Sequence, residues 1–489
     1  MKFLSSLIIV FIFQSVLISQ QLFKNFTDIG KIKHKGILNF DSTENIYRIT
    51  GSGENIWGSE DAFFYIWEKA LGDLKMQADI DWIGEGHHPH RKAGLMIRTG
   101  LNNDDPYVDA VIHGDGLISL QFRKVKGGET SEIKSLLKPP ATLLLERTGN
   151  EFTLTLIKWK EYFPVGTITI NFDDSVYAGL VVCSHNSNTT ETALFKNVQF
   201  VQLGIAKEDE RIVESTLEIF DMETMSRKIL YRSNEHFEAP NWSPDNKFIY
   251  FNQNGKIYRI SINGGEPELV NTDFADRCNN DHGFSPDGKN FAVSSHSQDG
   301  KSRIFILPSE GGKPKLITEN GPSYWHGWSP DGKNLCYCAE RNGEFDVYTI
   351  SIDSKNEKRL TDAAGLDDGP EYSPDGNFIY FNSVRTGKSK IWRMNSDGSN
   401  QIQITYDEFN DWFPHPSPNS KWILFLSYNP DVEGHPANKN VYIRILSLAD
   451  NKIETLATLF GGQGTINVPS WSPNSKKFAF VSYRLIKSR

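Results

Sequence analysis

Apolar and polar residues alternate in short runs along most of this chain, and Gly, Pro, Asn and Asp separate one run from the next. Period-two alternation belongs to strands that turn one side to a core and the other away from it. In the C-terminal half, runs at 248–252, 256–262 and 267–270 predict three strands in quick succession. In the N-terminal half, runs at 93–98, 107–113, 117–123, 142–147, 151–157, 177–184 and 193–201 predict at least seven more, enough for a β-sandwich. The expected fold class is all-β.

The C-terminal pattern repeats. Trp242-Ser-Pro-Asp, Phe284-Ser-Pro-Asp-Gly, Trp328-Ser-Pro-Asp-Gly, Tyr372-Ser-Pro-Asp-Gly, Pro416-Ser-Pro-Asn-Ser and Trp471-Ser-Pro-Asn-Ser are six copies at intervals of 42, 44, 44, 44 and 55 residues. Such a period supplies one four-stranded propeller blade per copy. Pro presets φ and Asp-Gly completes the turn, so the signature is first a hairpin device. The last copy runs out after two strands, at 467–472 and 477–483, and the runs at 217–221 and 228–231 supply the missing pair. Six blades closed by strands from both ends of the domain are expected.

These residues resemble the TolB-like propeller family over the region from Val213 onward. In the N-terminal half, Ala93-Gly-Leu-Met-Ile-Arg, Leu145-Glu-Arg-Thr-Gly-Asn-Glu-Phe and Tyr177-Ala-Gly-Leu-Val-Val-Cys-Ser-His resemble concanavalin-like (laminin-G-like) jelly rolls. The resemblance implies periplasmic adaptors, peptidase accessory domains or, in the related oligogalacturonate lyases, metal-dependent enzymes. The expected division is a signal peptide at 1–20, a jelly roll at 21–204, a linker at 205–212 and a propeller at 213–489.

Charge and targeting narrow the partners. A net charge of −9 opposes a phosphate-backbone ligand, so nucleic acid is not expected. Lys2 followed by the apolar run to Ile18 reads as a secretory signal cleaved near Ser19 to Gln21, and it is shorter than the ~20 residues of a membrane span. A secreted or periplasmic protein without a retained span follows. Cys183, Cys278, Cys336 and Cys338 lack zinc spacing, no cysteine lies at the cleavage region for lipid attachment, and one disulfide between distant cysteines stays open.

Candidate chemistry falls just before each signature, at the mouth of the channel. Aligned on Ser-Pro, four copies carry Pro where two carry His282 and His326. The pair is expected either to face the channel, where it could hold a divalent metal, or to satisfy backbone carbonyls. Asp281, Asp368, Asp411, Trp325 and Trp412 add a polar and aromatic rim suited to a sugar or hydrated metal. The long loop at 429–440 brings His435 and Lys439, and Arg341, Arg385 and Lys388 suggest an anionic ligand such as a uronate. In the sandwich, alternation turns Arg98, Asp109, His113, Gln121 and Arg123 outward as a candidate glycan face. His87-His88-Pro-His90-Arg91 reads as a loop near that sheet.

No Gly-x-Ser-x-Gly elbow is present, and Gly461-Gly-Gln-Gly lacks the strand and helix of a dinucleotide site. The function expected is binding of a glycan or an envelope or secreted protein at the channel mouth. The alternative is a metal-dependent oligouronate lyase with Lys439 or an arginine as base. Catalytic residues are not assigned, and no cofactor is expected outside the metal of that alternative.

Overall fold

The structure is a computed structural model that describes residues 20–206 and 210–487; the signal segment expected at 1–20 lies outside them except for its last residue. The chain divides into two compact units, residues 1–160 with 165–206 and residues 161–164 with 207–489. No helix among the described residues is long and apolar enough to cross a membrane.

The first unit stacks two antiparallel sheets. One runs Asn25–Ile29, Phe63–Leu71, Ser175–Cys183, Lys92–Arg98, Tyr107–His113, Ile118–Arg123 and Thr130–Lys134; the other begins Ile37–Asp41, Ile46–Gly53, Asn186–Gly204, Asp73–Ile83, Thr142–Thr148 and Glu151–Lys158. Alternation fixes which side faces inward. Leu95, Ile97, Val108 and Ala110 of the first sheet and Met76, Ala78, Leu143 and Leu145 of the second are fully buried, and strands of the two sheets touch.

The second unit is a propeller-like arrangement of five four-stranded antiparallel sheets, whose inner strands are Phe237–Trp242, Cys278–Phe284, Ser323–Trp328, Asp367–Tyr372 and Asn410–Pro416. The signature explains the hairpins. In the third blade Ser329 Oγ donates to Asp331 Oδ1 (2.6 Å) and accepts from Asn334 N (2.9 Å), while Asp331 Oδ1 accepts from Lys333 N (3.1 Å). The same knot recurs at Ser243, Ser285, Ser373, Ser417 and Ser472, with Asn in place of Asp at the last two. The fourth residue of every knot, Asn246, Gly288, Gly332, Gly376, Ser420 and Ser475, has a left-handed φ between 56° and 74°, which is why Gly occupies half of them.

The blade count corrects the expectation: five complete blades are formed, not six. The strands of both ends do pair, Arg211–Asp221 along the whole of Lys477–Lys487, with Ser226–Ser233 outside them. The inner segment of this sheet makes one bridge, Trp471↔Phe478. Asn252, Ser294, Cys338 and Asn382 sit at one repeat position and each hydrogen-bonds the backbone of the next inner strand, through Cys278 O, Trp325 N, Asp367 O and Phe413 N. The fifth copy has Leu426 there and the sixth Val481; the chain after the fifth winds through left-handed Gly462 and Gly464 without forming a ladder, whereas Phe237–Trp242 after the sixth forms one.

Closure of the ends is held by aromatic packing. Phe478 is fully buried, stacked on Phe220 at 5.0 Å and edge-on to Trp471 at 5.5 Å. Phe478→Ala is expected to lower the stability of the second unit by about 3–5 kcal/mol, read from denaturant unfolding of the full chain; a loss below about 1 kcal/mol would place the closure elsewhere.

Candidate functional site

A cavity of about 390 Å³ opens among the inner-strand ends opposite the knots. Asn279, Asn280 and Asp281 reach it from the second blade, Tyr324 and His326 from the third, Asp368 from the fourth and Phe413 from the fifth, with Asn467 from the irregular segment. His296, Cys338, Phe345, Leu366, His435 and Gln463 complete its wall. Each inner strand breaks register here. Bulges fall between Cys278 and His282, Trp325 and Gly327, Asp368 and Glu371, and Trp412 and His415. A bulge re-aims side chains at the edge of a sheet, and here it aims them into the cavity.

Two carboxylates occupy the cavity in different states. His326 Nε2 donates to Asp368 Oδ1 (3.1 Å), Gly369 N donates to the same oxygen (2.7 Å), and His435 Nε2 stands 3.8 Å from Oδ2. Burial opposes ionisation of Asp368, but the hydrogen bond and charge of His326 and the His435 ring hold it well below the usual carboxylate range. Burial likewise opposes a charge on His326, and Asp368 more than offsets it, so the His326 pKa is raised. Asp281 has no such partner. Burial pushes it up to about 7, against the pull of His326 and of the amides Asn467 Nδ2 (2.7 Å) and Asn279 Nδ2 (2.8 Å) that donate to its two oxygens. His435 is lowered by burial and packs edge-on against Trp412 at 4.6 Å and Phe413 at 5.1 Å.

Of the residues expected at the channel, Asp281, His326, Asp368 and His435 come together and the others do not. His282 is fully buried and absent from the cavity wall; burial lowers its pKa to about 4 while its ring meets the Tyr250 and Ala239 backbone. The reason is register: His282 pairs with Val293, whereas the equivalent place in the third blade is taken by Trp325 opposite Tyr337, leaving His326 as the bulged residue. The matched pair in sequence is therefore not a matched pair in space. No group of three His, Cys, Asp or Glu among the described residues is set to hold a metal ion, and His326 already engages Asp368.

Trp325 and Trp412 are core residues, 1% exposed, and form no rim. Asp411 is buried against Ser427 Oγ (2.6 Å) and Arg444 (3.4 Å). Arg341 is held by Glu357 (2.8 Å), Arg385 by Asp367 (2.6 Å) and Lys388 by Glu408 O (2.9 Å). Lys439 opens the strand Lys439–Ser447 and does not line the cavity. With these cations committed or distant, no Lys or Arg is among the residues that line the cavity. Tyr324 and Asn467 share the aligned column of Asp368, and Phe413 that of Asp281, so column reading could have found them; His296 and Gln463 carry no such signal.

In the first unit the residues expected as an exposed stripe do share one side of the sheet, in register Arg98↔Tyr107↔Arg123 and Asp109↔Gln121. That side is covered. Arg98, Asp109, Gln121 and Arg123 are 0% exposed and His113 5%. Arg123 forks onto Asp61 (2.7 and 2.8 Å) and Arg98 bonds Gly100 O (2.7 Å), tying overlying loops to the sheet. His88 stacks on His185 at 4.1 Å, and His90 lies 6.0 Å from His113. All four cysteines are free and buried.

The Asp281 pKa sets a pH dependence. A carboxyl raised from 3.8 to about 7 holds its proton longer in the folded state, so its contribution to stability falls as pH rises from 4 to 7. Asp281→Asn is expected to remove that fall, gaining on wild type with rising pH by at most about 4 kcal/mol between pH 4 and 8. Unfolding titrations of both proteins across this range check it, and parallel curves would refute it.

Comparison with known proteins places the architecture. The TolB beta propeller domain family matches residues 321–458. An uncharacterised protein of Agrobacterium fabrum is 51% identical over 272 residues, which cover 55% of this chain and 93% of that protein. A solved TolB-type structure from Agrobacterium tumefaciens is 50% identical, with a TM-score of 0.55, over 56% of this chain and 99% of that one. On this evidence of sequence and blade structure, the chain belongs to the TolB-like β-propeller family.

Proposed function

We propose that this is an exported binding protein that takes a glycan or a protein partner at the propeller cavity, in an envelope or polysaccharide-handling setting. The observation that carries the proposal is the cavity wall: amides from Asn279, Asn280, Asn467 and Gln463, the Asp281 and Asp368 carboxyls, and the apolar faces of Tyr324, Phe345 and Phe413 around about 390 Å³. A concave site with a few convergent polar groups on aromatic surface is the usual form of a ligand pocket. The expected leader at 1–20 supports export, and the two stacked sheets of the first unit are compatible with a concanavalin-like jelly roll. A glycan role for that unit would need its covered face to open.

The oligouronate lyase alternative has lost both its metal pair, since His282 leaves the cavity, and its arginines. The binding reading is tested on glycan arrays and by calorimetry against envelope proteins, with Asp368→Asn as control. Removing the negative charge that faces His326 is expected to weaken any cavity ligand at least tenfold, about 1.4 kcal/mol. Ligands that bind the variant and wild type equally would sink the assignment to this cavity, and unsaturated products from uronate polymers would restore the lyase.

A further inference from the structure

Among the described residues the propeller unit buries six carboxyl side chains, and five have a cationic or imidazole partner: Glu218 with Arg227 (2.7 Å), Asp346 with Arg359 (2.6 Å), Asp367 with Arg385 (2.6 Å), Asp368 with His326 (3.1 Å) and Asp411 with Arg444 (3.4 Å). The sixth is Asp281. It is 3% exposed, lines the cavity, and has no cation within 4.0 Å among the described residues. A buried carboxylate without a counter-ion is costly, and a fold that pairs the others has left this one facing open space.

We propose that the cavity receives a lysine or arginine side chain of a protein partner, whose ammonium or guanidinium serves as the missing counter-ion of Asp281. The inference rests on the reading of this cavity as a binding site and names the chemistry it selects. A second acceptor stands beside the first. Asn467 is 2% exposed and donates its Nδ2 to Asp281, which fixes its amide orientation, and its Oδ1 is buried with no partner. An ammonium has three N–H donors and a guanidinium five, and both need acceptors of this kind. The wall adds no competing Lys or Arg, and His326, the wall histidine whose pKa is raised, is already paired with Asp368.

The rest of the wall argues for a stem behind the charge. Phe345, Leu366 and Phe413 are apolar, and Tyr324 and Phe413 present π faces. A lysine or arginine lays its methylenes on such surface while its head reaches the acceptors. An amino sugar carries its ammonium directly on a hydroxylated ring and has no apolar stem for that wall. Because burial holds the Asp281 carboxyl at about 7 before binding, capture of a cation also expels a proton, so affinity rises with pH through neutrality. His326, Asp368, His435, His296, Tyr324 and Cys338 are the other titratable groups that line the same space.

The test uses the full mature chain and blocked pentapeptides Gly-Gly-Lys-Gly-Gly and Gly-Gly-Arg-Gly-Gly, the Nε-acetyl-lysine version, a glucosamine trimer and neutral oligosaccharides. Calorimetry is run at pH 6.5 and 8 in buffers of different ionisation enthalpy. The expected result is binding of the basic peptides, at least tenfold weaker binding of the acetylated one, proton release at pH 6.5, and at least tenfold loss in Asp281→Asn. Equal binding of the acetylated peptide, or no binding of either basic peptide, overturns the proposal. Selective binding of the glucosamine trimer overturns the partner class. Binding of neutral sugars that survives Asp281→Asn and is lost in Asp368→Asn overturns the counter-ion while leaving the binding reading intact; silence of all ligands overturns both. Should Asp281→Asn fail to fold, the acetylated and unmodified peptides on wild type still decide.

Discussion

The propeller depends on a small hydrogen-bonded knot. In each repeat one serine hydroxyl both donates to the Asp or Asn two residues on and accepts a backbone N–H five residues on. This satisfies backbone groups that the sharp turn would otherwise strand, and it fixes where the second strand starts relative to the first. Because side chains alternate along a strand, fixing that start fixes which of them enter the spaces between blades. Trp328 and Trp471 then reach across with Nε1 to Gly283 O (3.2 Å) and His415 O (3.0 Å), so the residue that opens the knot also ties neighbouring inner strands.

Rigidity at the knot edge permits irregularity at the other. The second-strand clasp at Asn252, Ser294, Cys338 and Asn382 grips the next inner strand near its bulge, where the ladder is broken and backbone groups need partners. In the second, third and fifth blades bulged residues lie at the cavity: Asn279, Asn280 and Asp281, then His326, then Phe413. Phe413, with φ of 55°, carries the backbone strain of this turn-out, and Gly369, with φ of 63°, takes the same conformation without it. The irregular segment that follows the fifth blade is the one that delivers Gln463 and Asn467 to the site.

Much of this was legible in the sequence, because period-two runs and a spaced turn signature report on local geometry. The strands, the knots, and the pairing of the two ends could all be read from residues such as Ser329, Asp331 and Phe478. What alignment on Ser-Pro could not report was the place of each bulge. His282 and His326 occupy one column, yet one is a ladder residue and the other is extruded, so equal sequence position led to unequal direction. Sidedness in the first unit was read correctly from alternation, but alternation says nothing of what lies on top. Arg98 and Arg123 look like surface residues until the loops around Asp61 and Gly100 are placed above them.

Charge in this protein is buried mainly as pairs. Arg123 and Asp61 are both without exposure, and the propeller repeats the arrangement in blade after blade, since a lone buried charge costs more than its partner's loss would suggest. Two aspartates depart from the rule, and their settings differ. Asp109 is sealed at 0% exposure with neither oxygen bonded, and burial raises its pKa well above the carboxylate range despite Lys92 nearby. Asp281 is held by two amides at the wall of an open cavity, with a pKa of about 7 that leaves both forms within reach. A sealed carboxyl can only keep its proton. A carboxyl at a cavity can exchange it for a ligand, and perturbed groups in such places are where proteins keep their chemistry.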